Sequence, residues 1–321
     1  MNVVDGRTTT SFLEEVGKIN DPRTTELLEQ LDREGKNYSW GEIFSLVHML
    51  LSDRSSARWI CEDAAGSTSA EFLTVLDRKI TNEELGRVSS MVARRLNGEP
   101  LQYILGYWCF RTLKLKVDSR VLIPRPETEQ TVQVAIDVIN GWGSPADELV
   151  VADLGTGSGA IALSLAAEVH RSLEIWATDN SAHALDVAAD NLIACSNELV
   201  QLPILSLGSW FEALPPRLRG RVSIVVSNPP YISHAERIFL PREVAEWEPE
   251  GALIAGESGL EGITAILSAA TQWTTDDGVV IIELAPSQGE EAKAVAKDNG
   301  FVDVQILSDL AGRERVLVAR R

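Results

Sequence analysis

The sequence predicts an α/β protein in which a doubly wound, mostly parallel sheet is preceded by a small N-terminal helical domain and a β-hairpin linker. Three observations carry this prediction. From Glu148 onward, short apolar runs alternate with amphipathic stretches, as strands buried on both faces alternate with crossover helices. Asp153-Leu154-Gly155-Thr156-Gly157-Ser158-Gly159 sets glycines between the first such run and the helix that follows it, where the backbone must turn sharply. Before about residue 97, by contrast, the apolar residues recur at helical spacing behind capping signals. The implied domains are 1–97 (helical, and the place for substrate recognition), 98–126 (hairpin linker) and 127–321 (sheet domain).

In chain order, residues 1–36 are polar and acidic, with a helix expected around 24–33. Ser39-Trp40-Gly41-Glu42 fits a capping box, in which the hydroxyl and the carboxylate each accept from an orphan backbone N–H. Ile43, Leu46, Val47, Leu50 and Leu51 then follow at helical spacing. Phe72, Leu73 and Leu76 suggest another helix, and a second box from Thr81 to Glu84 opens one carrying Leu85, Val88, Val92 and Leu96. Leu113-Lys114-Leu115-Lys116-Val117 alternates as a strand does, with Val121-Leu122-Ile123 as its expected hairpin partner. Pro124 and Pro126 end that hairpin, and 127–140 forms a helix with Val132, Ala135, Ile136 and Ile139 on one face. Further strands are expected at 149–153, 173–178, 202–205, 222–227, 278–284, 302–307 and 315–319. Helices fill the gaps: one ending at 168, then 183–195, 260–272 and 288–299.

At 321 residues, 45% hydrophobic and 24% charged, the chain can bury one large core and one smaller one. No apolar run is long enough to span a bilayer, and the N-terminus shows neither a secretory signal nor an Arg-rich transit pattern. A cytoplasmic protein without a membrane partner is expected. The 3 cysteines and 4 histidines lack metal-ligand spacing, so buried free thiols and no metal are expected. A net charge of -18 weighs against broad contact with a phosphate backbone, and hence against a nucleic-acid partner.

The chemistry centres on Asn228-Pro229-Pro230-Tyr231, which arrives directly from an apolar strand. Two prolines fix φ and remove two backbone donors, so the chain must leave the sheet as a stiff turn with Asn228 held extended. Such a turn offers a planar amine in-plane acceptors, from the Asn228 side chain and the Pro229 carbonyl, and the flat face of Tyr231. The glycine loop and an acid at the end of the next strand, Asp179, suit a nucleotide-type ligand, the acid accepting two ribose hydroxyls. Nicotinamide and S-adenosylmethionine sites share those two features. A dehydrogenase has no need of the proline turn, whereas a methyl donor held over the loop would point toward it. The turn alone does not choose between an adenine amine and a protein amide.

With these motifs the sequence resembles the class I S-adenosylmethionine-dependent methyltransferases, which are Rossmann-like, and among them the protein-(glutamine-N5) methyltransferases of peptide chain release factors. The resemblance runs from about Pro100 to the C-terminus and includes Pro100-Leu101-Gln102-Tyr103-Ile104-Leu105-Gly106, Ile123-Pro124-Arg125-Pro126-Glu127-Thr128-Glu129, Glu248-Pro249, Gly259-Leu260 and Asp309-Leu310-Ala311-Gly312-Arg313. It implies S-adenosylmethionine, with S-adenosylhomocysteine as product, at Gly155, Thr156, Gly157, Ser158 and Gly159, the ribose on Asp179, the adenine beside Trp210, and Asn228 also at the cofactor. Asn228, Pro229, Pro230 and Tyr231 would hold the substrate and carry catalysis, with Phe110 closing the pocket. The implied substrate is the glutamine of the Gly-Gly-Gln motif in class I release factors, methylated by a monomeric enzyme without a metal. Ile-Pro-Arg-Pro-Glu-Thr-Glu separates the chain from the similar ribosomal-protein glutamine methyltransferase. Other readings are a DNA or RNA adenine-N6 methyltransferase and a non-catalytic protein gripping the translation machinery. Ser209 stands where the family commonly has an acid, Ala285 where it usually has glycine, and the first forty residues have no counterpart. His234 is expected to be a solvated loop residue, since the amide proton becomes acidic only after methyl transfer and no base is needed before attack.

Overall fold

Capping signals and helical periodicity in the first hundred residues lead to a helical unit in the computed structural model, which describes residues 38–143, 148–309 and 311–321. The helix expected at 24–33 lies outside the described residues. Contacts divide the chain into two compact units, the first ending at Leu105 and the second spanning Gly106–Arg321.

The first unit contains α1 (Trp40–Leu51), α2 (Arg54–Ala65), α3 (Ser69–Phe72), α4 (Asn82–Leu96) and α5 (Leu101–Leu105). Both expected capping boxes form, at Ser39/Glu42 and Thr81/Glu84, and a third forms at Thr68/Glu71. Trp40, Ile43, Val47, Ile60, Val88 and Val92 are buried as its core. Helical periodicity does not disclose α2, whose inward positions include Ser56, Ala57, Cys61 and Ala64 and so leave only a thin apolar stripe.

The second unit opens with an antiparallel hairpin, and here the expected pairing is corrected. Leu113–Lys116 (β2) pairs with Tyr107–Phe110 (β1), which precedes it, and not with Val121-Leu122-Ile123. The cause is a tight turn: the Asp118 carboxylate accepts from the Arg120 N–H and guanidinium, and Val121 N–H donates to Asp118 O. Residues 121–123 then run outside any strand, with Ile123 N–H donating to the Glu248 carboxylate.

Next come α6 (Pro126–Asn140), β3 (Leu149–Leu154), α7 (Ala160–Glu168), β4 (Leu173–Asp179), α8 (Ala182–Ala194), β5 (Ile204–Leu207), β6 (Val222–Ser227) and β7 (Ile232–Ser233). The chain finishes with α9 (Arg242–Trp247), α10 (Glu250–Leu253), β8 (Ile254–Gly256), α11 (Glu261–Trp273), β9 (Thr274–Glu283), α12 (Gly289–Asp298), β10 (Asp303–Ser308) and β11 (Glu314–Arg320). Among the described residues seven of these strands build a sheet in the order β10-β11-β9-β6-β3-β4-β5, while β7 pairs with β8 alone. Pairings from β9 through β5 are parallel, while β11 is antiparallel to both of its neighbours. The central strands β3 and β6 are buried on both faces, and alternate residues serve opposite layers. Val151, Ile175, Ile224 and Ile281 pack with α6 and α7, while Ala152, Val225, Ile282 and Leu317 pack with α11 and α12. The chain builds β4 and β5 on one side of β3 and then crosses to β6 on the other, so the C-terminal edge of β3 lies at the switch in strand order where a crevice opens. No helix among the described residues is long and apolar enough to cross a membrane.

Candidate active site

A cavity of about 290 Å³ lies at this C-terminal edge, bordered by the loop after β3, the ends of β4 and β6, and the segment at 120–128. The loop after β3 is shaped by glycine: Gly155, Gly157 and Gly159 have φ of 78°, 56° and 86°, a region that other residues avoid. Gly155 and Thr156 N–H both donate to Thr178 O at 2.8 Å, which ties the loop to β4. A side chain at Gly157 would meet no protein atom, so the backbone stands open there, and Thr156, Ser158 and Gly155 also border the cavity. Gly159 is the N-cap of α7 and does not border it; a methyl group there would come 3.0 Å from Leu163.

Asp179 ends β4 with its carboxylate accepting from Gly157 N–H and Ser181 N–H, both at 2.9 Å. Burial raises its pKa even against those hydrogen bonds. Each oxygen keeps a second lone pair for a ligand hydroxyl. Beneath the loop, Asp153 is fully buried, accepting from Thr156 Oγ1 at 2.6 Å and Ala162 N–H at 3.1 Å, and burial pushes it up to about 7. Trp210, in a left-handed conformation with φ 46°, borders the cavity beside Ser209, its ring 3.5 Å from where a side chain on Gly155 would start.

The proline turn leaves β6 as expected. Asn228 Nδ2 donates to Thr128 Oγ1 at 3.1 Å, so its Oδ1 is the atom left to accept from a ligand. Asn228 and Pro230 border the first cavity. Asn228 and Tyr231 border a second of about 260 Å³, whose lining includes the apolar Ile232, Leu240 and Val244. Asn228 therefore stands where the two cavities meet, together with Leu122, Arg125 and Ala252. Burial pushes the Tyr231 hydroxyl up to about 12, so it stays protonated. Pro229 is buried behind the turn, where a methyl on Gly262 would come 3.1 Å from its ring.

Phe110 departs from its expected place. It is 1% exposed in the core with Leu113, Leu115 and Val132, and borders neither cavity. The turn after it explains why: Arg111 takes φ 50° and its guanidinium bonds to Glu168 and to Glu129 O, which turns the end of β1 onto α6 and α7. Cys109 is exposed rather than buried, unlike Cys61 and Cys195; His234 is exposed as expected.

Several further residues, not expected from the sequence, brace the site. Arg125 forms an ion pair with Glu248, 123 positions away, whose carboxylate also takes Ile123 N–H at 3.2 Å. Gln288 Nε2 donates to Tyr231 O at 2.9 Å and to Gly259 O at 3.0 Å, pinning the end of the turn. Buried Asn191 fastens Ser158 O to the hairpin, accepting from Lys116 N–H at 2.6 Å. Glu283, at the end of β9 and fully buried, accepts from the Thr131 hydroxyl at 3.4 Å, and burial pushes it up to about 7. The available signal is that Arg125, Thr128, Glu248 and Gly259 lie in motifs of the resemblance, but their partners are too distant in sequence to infer.

Residues 48–106 match the PrmC N-terminal domain, and residues 125–243 the methyltransferase small domain. A release factor glutamine methyltransferase of Rhodopirellula baltica is 37% identical over 267 residues, covering 83% of this chain and 88% of that protein. One from Lactococcus lactis is 33% identical over 282 residues, covering 87% and 98%. Among solved structures, the hMettl16 catalytic domain in complex with the MAT2A 3'UTR hairpin 6 shares the fold at a TM-score of 0.52 and 16% identity, covering 71% of this chain and 81% of that one.

Proposed function

Since the chain belongs to the release factor glutamine methyltransferase family, we propose that it transfers a methyl group from S-adenosylmethionine to the side-chain N5 of the glutamine in the Gly-Gly-Gln motif of class I peptide chain release factors. One observation carries this reading to the residues: Asn228, its amide oriented by Thr128, stands at the meeting of a glycine-bordered cavity and an apolar one. The first has the parts the cofactor needs. Gly155, Thr156, Gly157 and Ser158 would border it, Asp179 would accept the ribose hydroxyls and Trp210 would flank the adenine. The second would admit the peptide that carries the glutamine. A protein partner also suits the net charge of -18, and a substrate in translation implies the cytoplasm.

S-adenosylmethionine supplies an electrophilic methyl carried on a sulfonium. The protein must make a poor nucleophile competent, because the amide lone pair is delocalised into its carbonyl. Asn228 Oδ1 and the Pro229 carbonyl would accept the two amide N–H groups, orienting the nitrogen and favouring its pyramidal form. Tyr231 gives the planar amide a flat wall. The proton leaves after transfer, when the nitrogen is acidic, so no histidine is required. The test is transfer of a labelled methyl to a purified release factor, beside the same factor with its Gly-Gly-Gln glutamine replaced by alanine. Labelling of the first alone is expected; equal labelling of both refutes the assignment.

A further inference from the structure

Among the described residues, Ile238 and Phe239 are 79% and 80% exposed, and they stand side by side in the chain. A single exposed apolar side chain needs no explanation, but two together put apolar surface into water with no gain to the folded chain. They lie on a short 3₁₀ turn, Glu236–Phe239, which buries none of its residues. The turn is tied at both ends. Ser233 N–H and hydroxyl donate to the Glu236 carboxylate at 2.9 and 2.7 Å, and Leu240 N–H donates to Arg237 O at 3.2 Å. It is also continuous with the candidate site, since Ile232 before it and Leu240 and Val244 after it border the second cavity. We propose that Ile238 and Phe239 form a docking edge for the protein substrate, taking apolar side chains of the release factor that flank its Gly-Gly-Gln motif; this rests on the function proposed above. The chemistry of the motif calls for such an edge. Its two glycines carry no side chains and its glutamine enters the site, so further affinity must come from the residues on either side. Burial of apolar surface supplies that affinity, and a turn already fixed in place loses little freedom on binding. Charge points to the same partner. Both arginines of segment 232–247 are engaged, Arg237 with Glu250 at 3.0 Å and Arg242 with Glu246 at 2.9 Å, so neither is free for a phosphate backbone.

The test compares wild type with Ile238→Ser/Phe239→Ser, with Phe239→Leu and with a control, Ile193→Ser/Val302→Ser, which removes apolar side chains that are 73% and 79% exposed elsewhere on the surface. A class I release factor is the substrate, with calorimetry of S-adenosylhomocysteine binding and sedimentation of each protein alongside. Ile238→Ser/Phe239→Ser should raise KM for the release factor about tenfold or more, with kcat at saturation and product affinity within about twofold of wild type. Phe239→Leu keeps an apolar side chain and should stay within about threefold of the wild-type KM. The control should leave KM unchanged. An unchanged KM in Ile238→Ser/Phe239→Ser, an equal rise in the control, or a rise that accompanies weakened product binding would each overturn the inference. So would a wild-type dimer that Ile238→Ser/Phe239→Ser dissolves with KM unaltered, since the face would then belong to a second copy of this chain. A wild-type protein inactive on the release factor would instead overturn the functional reading on which the inference rests.

Discussion

At the scale of single residues, the site divides into atoms that touch a ligand and atoms that aim them. On the proposed reading Asn228→Ala would remove one of two acceptors for the substrate amide, so kcat should fall by about 10²–10³ with cofactor affinity nearly unchanged. Asp179→Ala should do the reverse, weakening calorimetric S-adenosylmethionine affinity by about tenfold or more, since hydrogen bonds to a charged group are lost. The places of both residues at the cavity are legible in the sequence, because each stands at a strand end beside prolines or opposite the glycine loop. Phe110 is not, because the direction of its side chain depends on hairpin register and on the distant anchor of Arg111 to Glu168. Asp153 and Glu283 also escape sequence reasoning, since their burial is a property of the assembled sheet. Their carboxyls are pushed from ordinary values of 3.8 and 4.5 up to about 7. The folded protein thus holds these protons more tightly than the unfolded chain, and stability should decline as pH rises from about 4 through about 7. Carboxylates held low act in the other window: Asp118, bonded to Arg120, contributes stability that is lost as pH falls below its ordinary value of 3.8. Urea unfolding of Asp153→Asn should show a flatter slope between about pH 5 and 7 than wild type. An unchanged slope would show that Asp153 is not the group responsible.

At the scale of elements, the site is held by braces between segments far apart in the chain. The Arg125–Glu248 pair joins the segment before α6 to the turn before α10, with the Glu248 side chain 1% and the Arg125 side chain 30% exposed. Removing the arginine strands a buried carboxylate, so Arg125→Met should cost about 2–3 kcal/mol in denaturant unfolding, less than a fully buried pair would. Gly259 carries a second brace: at φ 81°, a methyl there would come 2.7 Å from Tyr231 O, so Gly259→Ala should displace the turn and lower both melting temperature and kcat. Strand and helix identities are legible through period and capping, while partners are not. Leu113–Lys116 is recognisable as a strand from its alternation, yet its mate is Tyr107–Phe110 because Asp118 turns the following segment away.

At the scale of the whole molecule, alternating buried strands and amphipathic helices are enough to foresee a doubly wound sheet and to put the glycine loop and the proline turn on one edge. What periodicity cannot supply is the division into cavities, which depends on how the segments at 120–128 and 249–252 border that edge. On the proposed reading, two adjoining cavities meeting at Asn228 would bring a small methyl donor and a peptide glutamine to one point. The most direct measurement is tandem mass spectrometry of a recombinant class I release factor after incubation with this protein and S-adenosylmethionine. One added methyl on the side-chain amide of the Gly-Gly-Gln glutamine is the predicted result; an unmodified glutamine, or a methyl on any other residue, would contradict it.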